Sequence, residues 1–128
     1  WRRCLQASLA VGSLYDFLVG AAVLLLPDLL ASGLGLPLPA DQFYLRFIGV
    51  FLLGLGLIYL LPVLDPERYA AVAGLAGVVR AMGCVFLAGA VGLYHRPGVF
   101  LLLAAADGSF AFVHLASLAG WRRSQGKS

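Results

Sequence analysis

The sequence predicts an all-α membrane protein, an antiparallel bundle of four transmembrane helices with both termini on the cytoplasmic side. Three observations lead there. Of the 128 residues, 62% are hydrophobic and 12% are charged, far from the balance of a soluble domain. The apolar residues gather into four stretches, at about residues 5–26, 43–61, 70–94 and 99–118, each long enough to cross a hydrocarbon core about 30 Å thick. The basic residues flank these stretches unevenly: Arg2, Arg3, Arg68, Arg122, Arg123 and Lys127 fall on one predicted side and Arg96 on the other, which orients the bundle by the positive-inside rule. By length the chain is one domain.

The first span, 5–26, carries Asp16 close to halfway along. A lone acid at that depth is expected to face inward. Gly12, Ser13, Val19 and Gly20 share its helical face and admit a neighbouring backbone. Tyr15 beside it either donates to a carboxylate or fills core. The segment 28–42, punctuated by Gly33, Gly35, Pro37 and Pro39, reads as a turn or short interfacial helix followed by an extended connection.

The second span, 43–61, is expected to stop at Pro62 and places Arg46 about a turn inside its start. Arg46 either snorkels to the headgroups or bends inward beside Gly49. Tyr44 and Tyr59, near opposite ends, read most simply as interfacial aromatics and otherwise as hydroxyls facing a ligand, Tyr59 then joining the charged interior. The third span, 70–94, has Arg80 near its middle, with Ala73, Gly77, Gly83 and Cys84 on the same face; its many glycines suit the centre of a lipid-embedded bundle. The fourth span, 99–118, carries Asp107 near its centre and His114 about 10 Å further along nearly the same face, with Trp121 as an interface marker. A faint echo between 46–62 and 80–97, each opening R-x-x-G, would suit an inverted arrangement of helix pairs.

These placements converge on a charged interior. Asp16, Arg80 and Asp107 lie near the predicted midplane, where an unpaired charge costs several kcal/mol or more, so pairing is close to compulsory. An Asp16–Arg80–Asp107 network is expected, with Arg46 as an upper cap, so that two carboxylates face two guanidiniums and the sum is zero with His114 neutral. The residues of interest are therefore Tyr15, Asp16, Arg46, Arg80, Asp107 and His114. They line a ligand-binding interior or form a purely structural ion-pair network. No catalytic residue is singled out, although Asp107 or His114 would serve a small membrane enzyme as acid or base.

The remaining residues exclude other chemistries. Cys4 and Cys84 are too few and too far apart in predicted depth for a disulfide framework, a thiolate metal site or a redox pair, and read as packing residues. No haem or iron–sulfur ligand set is present. Nucleic-acid binding is set aside because topology accounts for the basic residues. No short leader with a small-residue cleavage site stands apart from the first span.

Several stretches carry a resemblance: the Tyr15–Asp16 pair, LRFIGVFLLGLGLIYL at 45–60, DPE after the second span, VVRAMGCVFLAG at 78–89 and AAADGSFAFVHL at 104–115. In these the chain resembles the DoxX-like superfamily of small four-helix membrane proteins, in particular its DUF4345-type branch. The resemblance implies a redox-associated accessory subunit of the bacterial inner membrane, with no intrinsic cofactor but a bound quinone- or lipid-like molecule. Membrane lipid, a second copy of the chain or a larger membrane complex are the implied partners. A more distant likeness to sterol isomerases fails on the pairing of acids with arginines, which does not suit a cationic intermediate.

Overall fold

A computed structural model describes residues 1–126. They form five helices: α1 (Arg2–Leu25), α2 (Pro27–Leu34), α3 (Phe43–Leu64), α4 (Ala70–Tyr94) and α5 (Val99–Gln125). Four of them, all but α2, are long and apolar enough to cross a membrane. Large apolar side chains such as Leu64, Val85, Phe86, Leu93 and Phe112 stay exposed on their outer surfaces, the pattern of helices whose surroundings are hydrocarbon rather than water. Lys127, counted above among the flanking positive charges, lies outside the described residues.

The short segment after α1 is helical because Pro27 occupies its first turn, where a missing N–H is harmless. Gly35, at φ 65, ends it in the left-handed conformation. The chain then runs without regular structure to Phe43, where the Asp41 carboxylate accepts from the Phe43 N–H at 2.9 Å.

Packing divides the long helices into two pairs, α1 with α3 and α4 with α5, joined mainly where α1 meets α5. The first pair is fitted backbone to backbone. A Cβ added to Gly20 would lie 3.0 Å from the Gly49 carbonyl oxygen, and one added to Gly49 would lie 2.8 Å from the Gly20 carbonyl oxygen. One end of the seam is fixed by the Ser13 hydroxyl, which donates to the Gly56 carbonyl at 2.7 Å. In the second pair Gly77 receives Leu115 and Gly83 receives Asp107. Leu5, Leu9, Tyr59, Ala73, Ala76, Leu118 and Trp121 form the apolar core.

Four expectations change. The second span does not stop at Pro62: that residue sits inside α3, which ends at Leu64, because a proline removes a single backbone hydrogen bond and the last turn needs little more. Trp121 is buried against Leu5 and Leu9 rather than marking an interface, and α5 continues beneath it to Gln125. Tyr59 likewise belongs to the core, at 3% exposure. Finally, α4 is not the centre of the bundle. Nothing lies within 4 Å of where Gly89 or Gly92 would carry a Cβ, whereas α1 packs on α3 and α5 together and touches α4 through Arg80.

Candidate functional site

Arg80 projects from the middle of α4 into the junction of the two pairs, where 5% of it remains exposed. Its fork of donors is divided between two helices. Nη1 donates to Asp107 Oδ1 on α5 at 2.7 Å. Nη2 faces Asp16 Oδ1 on α1 at 2.8 Å and donates to the Gly12 carbonyl, one turn earlier on α1, at 3.0 Å. One guanidinium therefore ties α1, α4 and α5 together with charge-assisted bonds.

Aromatic rings enclose what the carboxylates leave. The guanidinium carbon lies 5.2 Å from the Tyr15 ring centroid, 5.7 Å from that of Tyr59 and 5.0 Å from that of Phe110, within cation–π range. Tyr59 brings the fourth long helix, α3, to the site. The place of the Asp107 carboxylate is made by a residue without a side chain. A Cβ on Gly83 would fall 2.6 Å from Asp107 Oδ2, so this glycine, three residues after Arg80, is what allows Asp107 to reach across.

His114, fully buried on α5, packs against the Ser8–Gly12 turn of α1. Its Nδ1 contacts the Phe110 carbonyl oxygen and stands 3.1 Å from the Ser8 hydroxyl. A carbonyl only accepts, so Nδ1 carries the proton. Nε2 is then a bare lone pair turned toward the cluster. The position of a Gly12 Cβ would be 3.6 Å from this Nε2 and 3.7 Å from Arg80 Nη2. Asp16 Oδ2, Tyr59 Oη, Arg80 Nε and His114 Nε2 are all buried without a hydrogen-bond partner among the described residues. Native interiors leave few such atoms.

The structure thus brings together Tyr15, Asp16, Arg80, Asp107 and His114 and leaves out Arg46. That arginine donates from Nη1 to the Leu24 carbonyl and from Nη2 to Gln42 Oε1 at 3.1 Å, on the exposed rim of the bundle. Its long stem reaches the unpaired end of α1 more readily than the distant carboxylates, so the upper cap expected from sequence is absent. The echo between the second and third spans is not matched in role either, since Arg80 is buried and Arg46 is not. Phe110 is a member of the site that the sequence reading does not single out, and Gly12 and Gly83 enter that reading only as small residues on the faces of Asp16 and Arg80. Phe110 lies three residues from Asp107 and Gly83 three from Arg80, so the same helical spacing that selected the charges would have found them.

Two further features lie outside this cluster. An apolar pocket of about 410 Å³ opens at the other end of the molecule, between α2, the start of α3 and the α4–α5 turn, lined by Leu30, Leu34, Leu45, Phe86, Ala90 and Arg96 among others. Among the described residues, no group of three or more His, Cys, Asp or Glu side chains is arranged to hold a metal ion. Compared with models of protein families, with curated proteins and with solved structures, the chain finds no match.

Proposed function

We propose that this chain is a small integral membrane protein of structural or accessory role, whose four long helices are held in one arrangement by the buried Asp16–Arg80–Asp107 network. The observation that carries the reading is the use of the guanidinium: both of its terminal nitrogens are engaged by groups of the chain itself. The guanidinium donors left over, the unpartnered Nε among them, are buried, so a quinone or lipid carbonyl would have to part the helices to reach them. Among the described residues, no neighbouring element lies within 4 Å of where Gly54, Gly89 or Gly92 would carry a Cβ, and such small-residue surfaces suit a neighbouring helix of a larger membrane complex or a second copy.

In this reading the helices are antiparallel neighbours. Ser13 opposite Gly56 and Gly20 opposite Gly49 support that order, and the positive flanks favour cytoplasmic termini in a bacterial inner membrane. The likeness to the DoxX-like superfamily belongs to the same proposal, as a four-helix unit serving a redox-associated assembly.

Thermal unfolding in lipid nanodiscs tests it. R80M should fall far below the parent, and adding D16N and D107N to it should restore much of the loss, since removing a whole buried charge set is tolerated better than orphaning part of it. Equal stability of R80M and the parent would overturn the reading.

The apolar pocket favours a second role, binding of a lipid-like molecule away from the charges. Its volume falls within the range of about 300–1,000 Å³ common to ligand sites, and Arg96 at its lining suits an acidic headgroup. Native mass spectrometry with phosphatidylglycerol should show retention that R96Q diminishes; retention unaffected by R96Q would count against the pocket.

A further inference from the structure

The displacement of Arg46 alters the charge of the interior. With that cation on the rim, the buried cluster holds two carboxylates, Asp16 and Asp107, against the single guanidinium of Arg80. The sum is one negative charge, in surroundings where an uncompensated charge is expensive. The two acids are not equally served. Asp107 has Arg80 Nη1 to itself and its side chain is 17% exposed. Asp16, at 2% side-chain exposure, shares Nη2 with the Gly12 carbonyl, and its second oxygen has no partner among the described residues.

We propose that the cluster is a proton-binding site: Asp16 takes up one proton, which makes the interior neutral. The inference rests on the ion network of the preceding reading. The titratable or charged groups gathered with Asp16 around the Arg80 guanidinium are Tyr15 from its own helix, Tyr59 from α3 and Asp107 from α5, with His114 of α5 beside Gly12 one turn away.

The step makes one O–H bond on the Asp16 carboxyl and breaks one in hydronium, and nothing is oxidised or reduced.

Site-resolved carbon-13 NMR of the aspartate carboxyls, on the full chain in bilayers, tests the site. At neutral pH the Asp16 carboxyl should be protonated and the Asp107 carboxyl ionised. In D107N, where the charge already sums to zero, Asp16 should lose its proton. Both carboxyls ionised in the parent chain, the proton found on Asp107, or an Asp16 signal indifferent to D107N would each overturn the proposal. The parent spectrum decides the first two outcomes even if the variant fails to fold.

Failure of the underlying network would show differently, as R80M unfolding like the parent.

Discussion

Helix α1 has two working faces, and they are stabilised by opposite means. Toward α3 it offers the backbone of Gly20 to the backbone of Gly49, with gaps too small for a methyl group. Toward α4 and α5 it offers a row of polar atoms, ending in Asp16, that grips Arg80 and His114. The first face depends on shape and carries no charge. The second depends on charge, and at Gly12 it would admit a methyl at ordinary van der Waals distance. In hydrocarbon, where burying apolar surface drives nothing, close packing and polar contacts are the two means left for joining helices; this helix uses one on each side.

Substitutions that respect one face and offend the other separate the two. The largest effect is expected from Arg80→Leu, which leaves two carboxylates without their cation: a loss of about 3–5 kcal/mol, the usual cost of breaking a buried pair, seen as reduced folded yield and a lower melting temperature. Gly49→Ala should follow, at about 1–3 kcal/mol for overpacking against rigid backbone, in the same unfolding assay and with every charge untouched. Gly83→Ala ranks close behind. Its methyl would push Asp107 Oδ2 from its seat, and the loss should be much smaller in a D107A background, a coupling that a double-mutant cycle measures. Gly12→Ala should have the smallest effect and the opposite sign, a gain of up to about 1 kcal/mol from helix propensity. Destabilisation by Gly12→Ala comparable to that of Gly49→Ala would erase the distinction between the faces.

The two faces were not equally legible in the sequence. Asp16, Arg80 and Asp107 could be paired in advance because three ionisable groups at one predicted depth leave hydrocarbon few alternatives. The four long apolar helices followed from composition and length for a similar reason. What escaped were choices that depend on reach and on tertiary partners. Arg46 had carboxylates and backbone carbonyls to choose between, and the nearer Leu24 carbonyl won. Tyr59 and Trp121 have the amphipathic rings of an interface, yet both are core because Leu5, Leu9 and Leu118 surround that end. Gly20 and Gly49 were noted as small, but only the fold makes them face each other. The glycine wealth of α4 suggested a central helix, whereas several of its glycines look outward.

The division into two helix pairs has a mechanical side. Arg80 and its partners clamp the bundle where α1 meets α4 and α5, while α3 and α4 touch sparingly along the opposite edge. One seam is tied by ion pairs and the other rests on sparse apolar contact. The apolar pocket between Leu45 and Phe86 opens on that second edge, away from the charges.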